Sequence, residues 1–366
     1  MNLDDLSIYP RYDQQDMLWH IQHVADQLWQ GWELGMGHDL PTSNPPQQIV
    51  IVGVGGSAIG ADLVLHYAAP QLSIPLILVR DYELPAWASG PSVFVVGSSH
   101  SGNTEEVLYA LELSHRRKCS LIGISTGGKL ADLARRLNFP HWRYEYQGQP
   151  RAAVGYSFSL LLALLYRLKV IPNPSAELQS AVQAISALQP KLSPQVPTVQ
   201  NLAKRMAGQL IGRWVSIYGA GFLAPVARRW KTQINELAKA WAQFEEIPEA
   251  NHNTLTGTQN PEALMPQIVA LFLRSRFLHP RHQQRLEMTQ REFMIQGLGT
   301  DFIDAEGETP LAHLWTCLLI GDYIAYYLAI AYGVDPTPID ILENFKRDLA
   351  KIPFSSTRST TRPQDR

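Results

Sequence analysis

The sequence is poor in cysteine and nearly balanced in charge, and each shortage excludes a class of protein. Cys119 and Cys317 are the only cysteines among 366 residues. They cannot build a disulfide framework, and their spacing does not fit a zinc site. Both lie in apolar surroundings typical of buried thiols, which fits a reducing cytoplasm. The formal net charge of −2 argues against a nucleic-acid partner, because such domains carry a basic excess.

The sequence is also predicted to lack a signal peptide and a hydrophobic segment long enough to cross a membrane. Residues 1–5 contain neither the basic nor the apolar region of a signal peptide. The most apolar stretch, Phe158–Tyr166, is too short to cross a bilayer, which takes about 20 residues. We therefore interpret it as a buried helix and expect a cytoplasmic protein without a membrane partner.

Short apolar stretches alternate with helical ones in both halves of the chain. This alternation predicts an α/β fold with two similar units, each a mainly parallel sheet flanked by helices. Strands are predicted at 48–53, 74–80, 92–97, 119–124, 214–218, 268–273 and 294–297. Helices are predicted at 57–68, 103–116, 128–137, 151–168, 176–188, 223–244 and 310–332.

Proline-rich breaks and changes in composition divide the chain into segments. The first, at 1–45, is predicted to be helical. The two α/β units are expected at 46–170 and 199–352, with a crossing between them at 171–198. The remaining residues, 353–366, are rich in Ser, Thr, Arg and Pro, which predicts a disordered tail.

Two small hydroxyl-rich turns follow predicted strands and precede predicted helices. The first is Val54–Gly60 and the second is Ser98–Glu106. Backbone N–H groups at a helix start attract anions, and glycine lets the backbone approach a ligand closely. Ser and Thr hydroxyls add donors without bulk. Together the turns predict a phosphate site, and the second suits a phosphate monoester.

The first turn also matches a dinucleotide-binding pattern. Residues 53–58 read Gly-Val-Gly-Gly-Ser-Ala, and Arg80 and Asp81 end the next strand near the position of a ribose-binding acid. Two features disfavour this alternative. The hydroxyls of 98–104 lie at another strand, which a pyrophosphate on one helix does not need. No later segment offers a clear hydride-transfer site.

The two turns together resemble the sugar isomerase (SIS) domain. The resemblance rests on Gly55-Gly56-Ser57 and on the run Ser99-x-Ser101-Gly102-Asn103-Thr104-Glu105-Glu106. Later motifs resemble the bifunctional phosphoglucose/phosphomannose isomerase family, in the same order along the chain. These motifs are Asn235–Lys239, Asn251-His252-Asn253, Gly333–Pro338 and Lys346. His100 departs from the pattern, where the family has Tyr, but both flanking serines are kept.

The resemblance implies two SIS subdomains, a homodimer, and a sugar phosphate bound between the subdomains. It also implies reversible isomerisation of glucose 6-phosphate and fructose 6-phosphate, together with mannose 6-phosphate, through a cis-enediolate and without a metal or other cofactor. The residues that the resemblance implies for phosphate binding are Gly55, Gly56, Ser57, Ser99, Ser101 and Thr104. Arg151 is implied to stabilise the intermediate, and Glu236 to be the base. His252, from the partner subunit, and Lys346 are implied to serve ring opening, and Thr337 is a candidate for specificity.

These residue types suit the chemistry. A carboxylate can carry a proton between two carbons, an arginine can stabilise an enediolate, and a histidine titrates near neutral pH. Periodicity alone indicates less. Glu236 falls opposite the apolar stripe of its predicted helix, His252 lies in a polar loop, and Lys346 lies beside other charged residues, so each also fits a solvated surface position.

Two other functions fit the sequence. One is a sugar-phosphate sensor without catalysis, although the first 45 residues carry too few basic residues for a DNA-binding helix. The other is an aminosugar-phosphate isomerase, which nothing in the sequence distinguishes. The histidines of His279-Pro280-Arg281-His282 are interpreted as a surface turn, because no carboxylate or cysteine cluster accompanies them.

Overall fold

The computed structural model describes residues 2–40 and 45–352. Two parallel β-sheets are flanked by helices, which confirms the predicted α/β class. The predicted disordered tail, 353–366, and part of the first proline-rich break lie outside the described residues. The first sheet contains β1 (Gln48–Val52), β2 (Leu76–Val79), β3 (Val93–Ser98), β4 (Ser120–Ser125) and β5 (His141–Arg143), and the second contains β6 (Trp214–Ala220), β7 (Ala242–Ile247), β8 (Ile268–Arg274) and β9 (Gly299–Asp304).

Helices cover both sheets and fill the space between them. The first half contains α1 (Ile8–Tyr12), α2 (Met17–Gln22), α3 (Val24–Gly37), α4 (Gly55–Ala68), α5 (Glu105–Arg116), α6 (Gly128–Leu137), α7 (Val154–Arg167) and α8 (Ser175–Leu188). The second half contains α9 (Leu202–Leu210), α10 (Ala224–Leu237), α11 (Pro280–Ile295), α12 (Pro310–Tyr332) and α13 (Asp340–Leu349). Short 3-10 turns occur at Pro150–Ala153, Gln189–Leu192, Gly221–Leu223, Glu249–His252, Thr254–Thr258 and Glu262–Gln267.

Both sheets share one topology. The strand order is β2-β1-β3-β4-β5 in the first sheet and β7-β6-β8-β9 in the second. In such sheets the chain moves outward in both directions from the first strand, and ligands bind where the direction switches, at the carboxyl ends of the strands. In the first sheet that point lies between β1 and β3. Since Val52 pairs with Gly97, the two predicted phosphate turns leave the sheet side by side.

The longest apolar helix is α12, at the centre of the protein. It packs against α8, α9 and α10, and almost every one of its residues is buried. By length and composition it could span a membrane, so the expectation that Phe158–Tyr166 is the longest candidate run is wrong. However, 94% of the most apolar window of α12 lies inside the protein. Its all-round hydrophobicity is therefore that of a core helix.

The helix predicted at 223–244 is wrong at its end. In the structure α10 ends at Leu237, and residues 242–247 form β7. The apolar periodicity continued through Trp241, yet this side chain is 68% exposed. β7 pairs in parallel with β6 from Ala242 to Ile247, and this sheet pairing outweighs the local helical pattern.

Two predictions around α11 are also wrong. The strand predicted at 294–297 is the end of α11 and the following turn, and β9 begins at Gly299. β9 lies at the sheet edge and has only two strongly apolar residues, Phe302 and Ile303, so its hydrophobic signal is weak. The surface turn predicted at 279–282 instead begins α11, where Nδ1 of His279 accepts a hydrogen bond from the backbone N–H of Arg281.

Candidate functional site

The first turn packs against the segment that carries Arg151. Gly55 begins α4 with a φ of 58°, a left-handed conformation that glycine adopts without strain. A Cβ on Gly56 would lie 2.8 Å from the carbonyl carbon of Pro150 and 2.9 Å from the backbone nitrogen of Arg151. Only glycine fits at this contact. The backbone of the predicted phosphate turn therefore touches the backbone of the predicted catalytic arginine.

The second turn gathers hydroxyl groups beside the first. The Oγ of Ser99 lies 2.7 Å from Oγ1 of Thr104, and Oγ of Ser101 accepts a hydrogen bond of 3.2 Å from the N–H of Asn103. The N–H of His100 donates to Oγ of Ser57 at 2.9 Å, which joins the two turns. These groups and the N-terminus of α5 lie at the carboxyl ends of β1 and β3. Together they offer several hydrogen-bond donors, which suits an anion.

His100, the residue that departs from the expected motif, is held inside this turn. Its Nδ1 lies 2.9 Å from the hydroxyl of Tyr144. Burial lowers the pKa of His100 below its usual value, so its imidazole is neutral at pH 7. The substitution adds no positive charge to the anion site at that pH.

Arg151 and Glu236 lie together, although 85 residues separate them. Arg151 belongs to the 3-10 turn Pro150–Ala153, and only 2% of its side chain is exposed. Its Nη1 lies 3.5 Å from Oε2 of Glu236, whose side chain is 30% exposed. Its Nη2 donates to the backbone carbonyls of Pro336 (3.0 Å) and Thr337 (2.5 Å). Burial lowers the pKa of Arg151, and the nearby Glu236 carboxylate opposes this effect.

Two polar atoms at this pair are buried and have no hydrogen-bond partner among the described residues. They are Nε of Arg151 and Oγ1 of Thr337. A buried polar atom that makes no hydrogen bond is costly, and native structures seldom keep one without a reason. Since the Glu236 side chain is 30% exposed, a ligand with hydroxyl groups could reach the carboxylate of the pair from solvent.

Buried contacts that the sequence analysis missed hold the turn that carries Arg151 and the helix that carries Glu236. Gln27 on α3 donates to the carbonyl of Ala152 at 2.8 Å, which fixes the turn that carries Arg151. Arg229 on α10 forms a bidentate ion pair with Asp322 on α12, at 3.1 and 2.9 Å, and both side chains are buried. An aspartate within the apolar α12 was the one available signal, because a buried carboxylate requires a partner.

The structure does not bring His252 or Lys346 to the pair. His252 ends the 3-10 turn after β7, and Lys346 lies on α13; both are exposed. Within residues 2–40 and 45–352, no hydrogen bond or ion pair joins either side chain to Arg151 or Glu236. α13 buries none of its residues, and its apolar side chains are left open, with Ile341 89% and Phe345 62% exposed.

Arg80, one of the residues that suggested a dinucleotide site, has another role. Nη2 of Arg80 lies 2.6 Å from Oδ2 of the buried Asp62 on α4. Arg228 on α10 lies 3.4 Å from the same oxygen, so the cluster joins the two halves of the protein. In the part of the chain that the structure describes, no group of three or more His, Cys, Asp or Glu residues could hold a metal ion.

Solved structures share this architecture. A glucose-6-phosphate isomerase-like protein from Thermus thermophilus superposes with a TM-score of 0.61 at 18% identity, covering 93% of this chain and 99% of that one. At this identity the likeness defines the fold alone. The two parallel sheets and the paired turns place the chain among proteins with the SIS-domain fold.

Sequence similarity then identifies the family. A family model described as "Bacterial phospho-glucose isomerase C-terminal SIS domain" matches residues 199–349. The bifunctional phosphoglucose/phosphomannose isomerase of Caldicellulosiruptor bescii is 34% identical over 336 residues, which are 91% of this chain and 98% of that protein. The same-named protein of Aquifex aeolicus is 30% identical over 84% of this chain and 92% of its own length. The chain belongs to the bifunctional phosphoglucose/phosphomannose isomerase family.

Proposed function

We propose that this protein isomerises glucose 6-phosphate and fructose 6-phosphate reversibly, and mannose 6-phosphate as well. One observation carries the proposal: a partly open carboxylate, Glu236, is paired with a buried arginine, Arg151, whose backbone touches the first of two adjoining hydroxyl-rich turns. A phosphate site, a cation and a proton carrier are then available in one place. The family membership supports the same reaction.

The phosphate would bind the two turns of the first sheet. The hydroxyls of Ser57, Ser99, Ser101 and Thr104 and the backbone at Gly55 and Gly56 supply donors without a fixed charge. The hydrogen bond between the Ser99 and Thr104 hydroxyls, and the one that Ser57 accepts from the N–H of His100, hold these hydroxyls in place before the ligand arrives. Binding at this end would set the distance from the phosphate to the reacting carbons.

Glu236 would transfer the proton between carbons. In the open aldose its carboxylate takes the proton from C2, so the C2–H bond breaks and a cis-enediolate forms with a negative charge on oxygen. The same carboxylic acid returns the proton to C1, while the hydroxyl proton on O2 passes to O1, so that C2 becomes a ketone and C1 a primary alcohol. Arg151 would stabilise the enediolate, because its charge is permanent and its position is fixed by two carbonyls.

Ring opening would need residues that the single chain keeps apart from the pair. We assign it to His252 and Lys346, with His252 supplied by the partner subunit of a homodimer. Two observations support a dimer: His252 is exposed at the end of its 3-10 turn, and none of residues 2–40 and 45–352 covers the apolar side of α13. Thr337, with its unpartnered hydroxyl beside Arg151, is the proposed specificity residue.

The test is direct turnover. The protein is incubated with glucose 6-phosphate or mannose 6-phosphate in EDTA, and fructose 6-phosphate is measured. Glu236→Gln should lower kcat by at least about 100-fold while sugar-phosphate binding persists, because the amide cannot accept the proton. Binding without turnover in the wild type would instead indicate a sensor. Retained activity in Glu236→Gln would show that the base is misassigned.

A further inference from the structure

Lys239 lies immediately beyond α10. Its backbone has the left-handed conformation that glycine usually adopts at the end of a helix. Its φ is 53°, and it follows the C-terminal cap, Ala238. This turn directs the side chain back over the helix end. Its Nζ donates to the carbonyls of Glu236 at 3.0 Å and Leu237 at 3.2 Å. The ammonium group therefore satisfies carbonyls that the helix leaves open.

The same ammonium group also binds the loop after α12. Nζ of Lys239 donates to the carbonyl of Asp335 at 2.7 Å. The next two carbonyls along this loop, those of Pro336 and Thr337, accept the hydrogen bonds from Arg151. Lys239 therefore links the backbone of Glu236 to the loop, and the loop in turn binds Arg151. Arg151 contacts the carboxylate of Glu236, so these contacts connect the two catalytic side chains a second time.

We propose that Lys239 is a positioning residue, which holds the loop 335–337 against the end of α10 and thereby sets the distance between Arg151 and Glu236. The inference rests on the proposed function, in which those two side chains act on the sugar. Lys239 itself directs its three N–H groups to protein carbonyls, so it acts through Arg151 and not on the substrate.

We call the three hydrogen bonds from Nζ of Lys239 to the carbonyls of Glu236, Leu237 and Asp335 the Lys239 clamp. The charge state of Lys239 should control this clamp. Burial and the nearby Arg151 lower its pKa to about 8, against the opposing charges of Asp335, Glu236 and Asp340. The ammonium has a donor for each of the three carbonyls, whereas the neutral amine has only two donors. When the pH rises through about 8, one of the three bonds is lost and the loop is held less firmly.

The test compares Lys239→Met and Lys239→Arg with the wild type in the full-length protein. With glucose 6-phosphate, Lys239→Met should lower kcat about tenfold, because a small displacement of catalytic groups is costly. KM should change less than about threefold, since the phosphate turns lie on the other sheet. The wild-type kcat should fall above about pH 8. Lys239→Arg should restore kcat and move that fall to higher pH, because guanidinium stays charged. Lys231→Met, on α10, is the matched control.

Hydrogen exchange measures how firmly Lys239 holds the loop, and this measurement does not depend on enzyme activity. Amides of 333–338 should exchange faster in Lys239→Met than in the wild type or in Lys231→Met. Unchanged exchange in Lys239→Met would overturn the inference, as would an unchanged kcat and pH profile in an active enzyme. If the wild type turned over no hexose phosphate while the exchange still changed, the clamp would stand and the proposed function would fail.

Discussion

Replacing Arg151 with methionine would separate its catalytic contribution from its structural one. Methionine fills a similar volume but removes the charge and all five N–H donors. The variant loses the contact with Glu236 and two hydrogen bonds to the carbonyls of Pro336 and Thr337. If Arg151 stabilises the enediolate, its loss should resemble removal of an oxyanion donor, which costs about 3 to 4 kcal/mol of transition-state binding. We expect kcat to fall by about 100- to 1000-fold.

The stability of the same variant should change much less. Burying a guanidinium is itself costly, and Arg151 is only 2% exposed, so an apolar side chain recovers part of what the lost hydrogen bonds contributed. The carbonyls of Pro336 and Thr337 each lose a donor, at about 1 kcal/mol apiece, so we expect the free energy of unfolding to fall by about 2 kcal/mol and Tm by a few degrees. This gap between a large kinetic loss and a small thermal one is the signature of a catalytic side chain.

The assay pairs turnover of glucose 6-phosphate with a thermal melt of the same preparation. Arg143→Met is the matched control, because Arg143 lies in the same half of the chain with its side chain 64% exposed. Its kcat and Tm should match the wild type. A kcat for Arg151→Met within about fivefold of the wild type would refute the assigned role. Parallel collapse of kcat and Tm would mean that the arginine is chiefly structural.

Further substitutions test the surroundings of the site. Arg229→Met should destabilise the protein by about 3 to 5 kcal/mol in a denaturant titration, because it leaves Asp322 charged and buried, and adding Asp322→Leu should recover most of the loss. Gly56→Ala should lower Tm and raise KM for the sugar phosphate, since its Cβ would overlap the adjoining backbone, whereas Gly37→Ala, with open space around its Cβ, should change neither. Ser99→Ala should raise KM about tenfold, with kcat nearly unchanged, if its hydroxyl binds the phosphate; an equal loss in kcat would contradict a pure binding role.

Local sequence signals were sufficient for the central strands of the first sheet and its turns, but they missed the three-residue edge strand β5. β1, β3 and β4 are continuous apolar runs bounded by Gly and Ser, and their predicted limits agree with the structure within a residue or two. Such runs are typical of central strands in parallel sheets, which are buried on both faces. The phosphate turns follow from the same signal, because their glycines and hydroxyls lie next to strand ends in the chain.

The second sheet was harder because its outer strands carry weaker signals. β7 and β9 lie at the edges and mix charged with apolar residues, so their neighbours in the sheet decide their conformation. At Lys239 the helix ends in a left-handed residue that is not glycine. The bonds from its side chain to three carbonyls explain this exception, and one of those carbonyls lies 96 residues away along the chain.

The sequence by itself determined which strands are buried, where an anion could bind, and the family to which the chain is similar. Only the tertiary structure decided that Glu236 faces Arg151. Helical periodicity places Glu236 opposite the apolar stripe, a position typical of a solvated side chain. The partner that covers this face comes from another segment, since Arg151 is brought there by packing of the 3-10 turn against α4 and α7 and is held by the carbonyls of the 336–337 loop. Periodicity reports how a helix is divided between apolar and polar faces, but contacts between distant segments depend on the folded chain as a whole.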